Sequence, residues 1–192
     1  MPVAPAVGVA ETGLASWYGY PYQGRRAANG EVYDMELLTA AHRTFAFDTW
    51  IRVHNLENGK HVDVRITDRG PFVRERIIDL SRAAARAIDS IGPGVVKVRL
   101  EVIAAPAAFA ASGWYAVQVG AFRDHGNAER LREDMARRFG KARLVPREGA
   151  EPVWRVLVGE CPSAPDAEEL AGRIRPANAD SFVVRLDQPP SL

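Results

Sequence analysis

The sequence predicts two small domains, an all-β closed barrel carrying one or two short helices, followed by a ferredoxin-like α+β sheet. Three observations predict them. Short segments of alternating apolar and polar residues, separated by Gly, Pro and Asn-Gly turns, fill residues 13–104 with a single helical stretch among them, the pattern of a small barrel. From Trp114 the order changes to strand, helix, strand, strand, helix, strand, two loosely similar halves of a ferredoxin-like unit. Between them, residues 104–112 (Ala-Ala-Pro-Ala-Ala-Phe-Ala-Ala-Ser) have the composition of a linker. The expected boundaries are a flexible tail at 1–12, a barrel at 13–104, a linker at 105–112, a second domain at 113–187 and a tail at 188–192. The eight linker residues reach at most about 28 Å.

In the barrel, Leu14 to Gly19 reads as a first strand. Residues Gln23 to Glu36 are loop-like, and Asn29-Gly30 marks a tight turn that presents Glu31. Leu37 to His42 is a short apolar piece, either a helical turn or a buried strand. Trp50 to His54 alternates as a strand, and Glu57-Asn58-Gly59-Lys60 is a strong hairpin signal leading into the partner strand His61 to Thr67. Ser81 is the expected N-cap of a helix from Arg82 to about Ile91, which Gly92-Pro93-Gly94 would end. Val96, Val98, Leu100 and Val102 alternate as a closing strand.

In the second domain, Trp114 to Gly120 is a strand with Tyr115, Val117 and Val119 on one face. Trp114, Ala116, Gln118 and Gly120 lie on the other. A helix from about Gly126 to Phe139 aligns Ala128, Leu131, Met135 and Phe139 on one stripe, and Gly140 stops it. Ala142 to Val145 and Val153 to Val158 are strands. Ser163-Ala164-Pro165-Asp166 opens the second helix like a capping box, and Ser181 to Leu186 is the last strand.

Composition excludes several classes. With 47% hydrophobic and 26% charged residues the chain can bury an ordinary core. Lys and Arg total 25 against 24 acids, so no strong field draws it to nucleic acid. Residues 113–187 carry 12 of each sign, against an RNA-binding role for the second sheet, which also lacks the aromatic RNA-binding motif. The single cysteine, Cys161, permits no internal disulfide and no cysteine zinc site. His54 and His61 face each other across the hairpin, but no third ligand has suitable spacing, so no metal is expected. No cofactor motif is present. No apolar run reaches transmembrane length, and the first residues have neither the basic nor the apolar region of a signal peptide.

The stretch Val64-Arg65-Ile66-Thr67-Asp68-Arg69-Gly70-Pro71-Phe72 stands out. Its period-two alternation stops at Asp68, and Gly70-Pro71 forces a turn, so a carboxylate is delivered to a strand end. An aspartate there ordinarily bonds the turn backbone. It also sits where catalytic groups are carried on loops.

Gly13-Leu14-Ala15-Ser16-Trp17-Tyr18-Gly19, Ala28-Asn29-Gly30-Glu31-Val32-Tyr33-Asp34, Leu38-Thr39-Ala40-Ala41-His42, Thr67-Asp68-Arg69-Gly70-Pro71-Phe72 and Ile78-Asp79-Leu80-Ser81 resemble the rare lipoprotein A family of septal lytic transglycosylases. Trp114 to Phe122, Ala128, Leu131 and Trp154 to Gly159 look like a SPOR domain. The chain departs from these families at Ala46 and Asp48, usually proline and glycine. It also departs at Glu160-Cys161, where SPOR domains often have proline and an aromatic.

The resemblance implies a double-psi β-barrel that cuts peptidoglycan glycan strands without water, and a SPOR domain that binds strands stripped of stem peptides. It carries functional positions onto Asp68, Glu31 and His42. Asp68 is expected to be the acid/base, its pKa raised by an apolar setting beside Phe72. Glu31 is the second carboxylate, and His42 is a hydrogen-bonding partner that holds one of them. Asn29, Tyr33, Arg69 and Phe72 are expected to bind substrate in the barrel. Trp114, Gln118, Phe122 and Arg155 are expected to bind glycan on an open face of the second sheet. Asp79 is expected to support the helix start and not the chemistry. The implied location is the bacterial envelope, periplasmic or at the outer membrane, with divisome or other envelope proteins as further candidate partners. A non-catalytic glycan-binding or wall-loosening protein is the alternative; the presence of all three polar residues favours the enzyme.

Overall fold

A computed structural model describes residues 8–106, 113–147 and 153–186. Residues 1–7 and 188–192 of the expected tails, 107–112 of the expected linker and residue 187 of the expected second domain lie outside the described residues. The chain forms two compact units, residues 1–111 and 112–192.

The first is a closed barrel of six strands in the order β1-β5-β2-β4-β3-β6. They are β1 (Gly8–Tyr18), β2 (Thr39–His42), β3 (Trp50–Asn55), β4 (His61–Asp68), β5 (Arg76–Ser81) and β6 (Val96–Ala104). The pairs β1–β5 and β2–β4 are parallel, and the others antiparallel. Alternation explains the interior. Ile51, Val53, Val64, Ile66, Ile78, Leu80, Val98, Leu100 and Val102 all project inward and are fully buried.

Two expectations need correction. Gly8 to Thr12, expected in a flexible tail, pair with β6 and form the first part of β1. The helix α1 spans only Arg82–Ala87, four residues short of the expected end. Ser81 caps it as expected, accepting from the Ala84 N–H. Ser90 then takes the Ala85 carbonyl with both its N–H (2.8 Å) and its hydroxyl (3.1 Å), after Asp89 turns left-handed at φ 55. That carbonyl is unavailable for another helical turn.

The second unit is a four-stranded antiparallel sheet in the order β10-β7-β9-β8. Its elements are β7 (Trp114–Phe122), α2 (His125–Phe139), β8 (Ala142–Arg147), β9 (Val153–Cys161), α3 (Ala164–Ile174) and β10 (Phe182–Leu186). Asp124 caps α2, Gly140 ends it at φ 92, and Ser163 caps α3. Ala128 and Met135 of α2 join Ala167, Ala171 and Ile174 of α3 over Val117, Val119, Val156, Val158 and Val183. Each unit has its own apolar core.

Candidate functional site

Along β4, Val62, Val64 and Ile66 point inward. Unbroken alternation would send Asp68 inward too. The pairing with β2 shifts instead: Ala40 is opposite Ile66, but Ala41 is opposite Asp68. One extra residue on β4 makes a bulge, the usual device for re-aiming a side chain beside a site. Asp68 thereby joins the outer side of the wall with Ala41. Across the neighbouring strands, Ala41 is also the partner of Asp79, and Asp79 the partner of Ser16. The outer row runs Ser16, Asp79, Ala41, Asp68 over β1, β5, β2 and β4.

Asp68 is 5% exposed. Its Oδ1 accepts the N–H of Ala28 at 3.0 Å and of Arg69 at 2.8 Å. The Asn29 N–H reaches the Thr67 carbonyl at 3.2 Å, so the Asn-Gly loop is stitched to the end of β4. In that loop Asn29 Oδ1 accepts from the Glu31 N–H at 3.0 Å, and the Glu31 carbonyl accepts from Ala27 at 2.8 Å. Glu31 is held beside the strand end, where its carboxylate takes both arms of Arg65 at 2.9 and 2.7 Å. That guanidinium keeps the Glu31 carboxyl below its ordinary range. Arg65 also bonds Asp48 at 2.7 Å. Asp48 sits at φ 64, a left-handed position that suits the family's glycine and that aspartate tolerates.

The structure corrects the role of His42. Alternation on β2 turns it to the opposite side from Ala41, paired with Ile78, so it does not bond Asp68 or Glu31. It is buried and stacked on Phe45 at 3.9 Å. Its Nδ1 accepts from Thr44 N–H (3.2 Å) and Phe45 N–H (3.1 Å), which leaves Nε2–H to donate to Glu11 at 3.0 Å. Tyr33 and Arg69, expected to bind substrate, are instead engaged within the barrel. Tyr33 is buried, stacked on Tyr18 at 4.4 Å and donating to the Tyr18 carbonyl at 2.6 Å. Burial first, then the nearby charge of Asp68, pushes its phenol pKa up. Arg69 is buried, donates to the carbonyls of His42 (3.1 Å) and Phe45 (2.8 Å), and lies over the Phe47 ring at 3.8 Å. These three brace the turns around Asp68. Asn29 and Phe72 are half-buried at the same end.

Two residues of this end were missed. Glu11 fell in the expected tail, and only the long pairing of β1 with β6 brings it to His42. Arg43 donates to the carbonyls of Pro71 (3.1 Å) and Arg76 (2.8 Å), pinning the turn after Asp68 to the start of β5. No local pattern marks an arginine for that task. His54 bonds Glu101 at 3.0 Å, its ring 5.7 Å from that of His61.

The His42–Glu11 pair makes stability pH-dependent. Burial, the largest influence, lowers the His42 pKa against the opposing pull of Glu11. For Glu11, burial raises the pKa, but the bond and charge of His42 together with Arg43 outweigh it and the net shift is down. Both folded values lie below the unfolded ones, so stability is complete above about pH 6.5. It declines as His42 is forced to protonate at lower pH, and declines again as Glu11 does. Melting measured at pH 7.5 and 5.5 should fall more for wild type than for His42→Gln; equal falls would contradict this.

On the second sheet, Gln118 pairs with Phe182 and Leu157, Trp114 with Leu186, and Arg155 with Val145. The expectation of an open face fails at Gln118, which is 3% exposed. Its Oε1 has no hydrogen-bond partner among the described residues. Trp114 and Arg155 are half-buried. Phe122 is not on this face. A bulge between Gln118 and Gly120 interrupts alternation, and Phe122 packs against the helix-covered core.

Fold and site together define a double-psi β-barrel with carboxyl groups on the outside of one end, followed by a SPOR-type sheet. Residues 10–100 match the family model described as "Lytic transglycolase", and residues 111–185 match that of the SPOR domain. The first unit is thus similar to the barrel of rare lipoprotein A (RlpA) proteins, and the second to SPOR domains. It is 52% identical over 102 residues to the endolytic peptidoglycan transglycosylase RlpA of Campylobacter jejuni, covering 53% of this chain and 37% of that one. It is 53% identical over 98 residues to the protein of the same name from Pasteurella multocida (51% and 33%). It is 55% identical over 91 residues to a probable one from Synechocystis (47% and 28%). The chain thus matches about a third of the length of these relatives. No helix among the described residues is long and apolar enough to cross a membrane.

Proposed function

We propose that the chain is a peptidoglycan lytic transglycosylase of endolytic type, delivered to stem-free glycan by its second unit. The observation that carries this reading is the bulge in β4, which turns Asp68 from the core to the outer row. The barrel around it is about half identical to proteins named endolytic peptidoglycan transglycosylases. In the reaction, the C6 hydroxyl of N-acetylmuramic acid bonds to its own C1 as the link to the next sugar breaks, leaving a 1,6-anhydro ring. In the simplest scheme Asp68 first protonates the departing oxygen and then accepts the C6 hydroxyl proton. Glu31 holds a negative charge near the developing oxocarbenium centre, and Arg65 keeps that carboxyl ionised. His42 acts at one remove, by holding the chain that holds Arg69.

On the second sheet, half-buried Trp114 supplies a ring for stacking on a sugar and Arg155 a donor. Gln118 Oε1, buried and without a partner among the described residues, becomes an acceptor for a sugar hydroxyl only when the side chains over it move aside. Such a protein works in the bacterial envelope, in the periplasm or at the outer membrane, where divisome proteins are its candidate partners.

The test is mass spectrometry of products from stem-free glycan strands. Anhydro-ended fragments are expected. Reducing-ended fragments would mean a hydrolase, and binding without fragments a wall-loosening or purely binding protein.

A further inference from the structure

We propose that Asp79 is a second catalytic carboxyl of this site, donating the proton to the departing sugar oxygen while Asp68 takes the proton from the C6 hydroxyl. The inference rests on the transglycosylase reading and replaces its single-carboxyl scheme: Asp79, not Asp68, is the proton donor. It starts from the register. Asp79 and Asp68 are both partners of Ala41, one from each side. They therefore face the same way, two strand spacings apart, about 10 Å between Cα atoms. The residue between them is an alanine, so no side chain stands in the way. The turn after Asp68 approaches as well. Gly70, at φ 145, lies where an added Cβ would be 3.9 Å from Asp79 Oδ2, from the Ala41 methyl and from the Phe72 ring alike.

The two oxygens of Asp79 differ. Oδ1 accepts the Ser16 hydroxyl at 2.5 Å and lies 3.7 Å from Arg76 Nε. Oδ2 has no hydrogen-bond partner among the described residues. A carboxyl anchored by one oxygen and free at the other is placed to hold a transferable proton. The groups that face it come from four directions: Ser16 on β1, Arg76 on β5, Arg43 after β2 and Asp68 on β4. Burial, the largest influence, and the charge of Asp68 raise its pKa; Ser16, Arg76 and Arg43 lower it, and the net shift is upward. Two carboxyls in one site with different protonation duties form an acid–base pair.

The step balances without a co-reactant. O6 bonds to C1 as the C1–O4 bond breaks, the Asp79 proton passes to the departing O4, and the O6 proton passes to Asp68. Water carries that proton back to Asp79 before the next turnover.

Asp79→Asn keeps the Ser16 bond and the size, so melting should be unchanged. Release of anhydro-ended product from stem-free glycan should fall about 10²–10⁴-fold, and the alkaline limb of the pH–rate profile should disappear. On a glycan oligomer carrying a nitrophenyl leaving group, which departs without a proton, most of the deficit should vanish. Ser16→Ala removes a bond that lowers the Asp79 pKa, so its alkaline limb should move to higher pH. Wild-type cleavage by Asp79→Asn, or an equal deficit on both substrates, overturns the assignment while the transglycosylase reading stands. A wild-type chain that cleaves neither substrate overturns both.

Discussion

Asp68→Asn should leave glycan binding and melting close to wild type while anhydro-ended product falls about 10²–10⁴-fold. The reason lies in how the residue is held. The Ala28 and Arg69 N–H groups both bond Asp68 at Oδ1. Asparagine presents an oxygen in the same place, so the bulge and the loop stitched to it survive. What asparagine cannot do is give or take the proton. Asp68→Ala should differ in one respect: it strands two N–H groups near the core, at a cost of about 1–3 kcal/mol each, and its melting temperature should drop. Both variants being inactive, with only alanine destabilised, is the signature of a residue that serves the turn and the chemistry together. Wild-type turnover by Asp68→Asn would leave only the turn. Glu31→Gln should lose less. Its contribution is charge, already shared with Arg65, and half of its side chain faces solvent, where screening weakens any such effect.

Removal of residues 113–192 should abolish retention on stem-free peptidoglycan without unfolding the barrel. The barrel's core cluster draws only on residues from Ala15 to Val102, so its packing does not depend on the second unit. Cleavage of short soluble glycan should persist, because the outer row of Ser16, Asp79, Ala41 and Asp68 remains whole. Sedimentation with stem-free sacculi measures the first property, and product release from oligomers the second. Undiminished sedimentation of the truncated barrel would refute the targeting role. Within the intact chain, Gln118→Leu should weaken sedimentation by about two- to tenfold, the worth of one neutral hydrogen bond. Phe122, packed toward the helices, should matter for melting and not for glycan.

Period-two alternation identified the interior of β3, β4 and β6 from the sequence alone, because a half-buried strand must place every second side chain in the core. Asn-Gly and Glu-Asn-Gly-Lys marked the turns, and Ser81, Gly140 and Ser163 the helix ends, since those signals act over a few residues. The strand-end acid and the Glu31 loop were legible for the same local reason.

The tertiary structure decided what alternation cannot. A bulge is a mismatch between two strands and is invisible in either one, so the outward turn of Asp68 and the inward turn of Phe122 both escaped the sequence. His42 was found but given the wrong partner, because the side it faces depends on where β2 lies between β4 and β5. Glu11 was missed because its partner is 31 residues away. Asp79 looked like the prelude to a helix, and became a neighbour of Asp68 only when both strands met Ala41: pairing across a closed barrel, between segments distant in sequence, is set by the packing of the whole core.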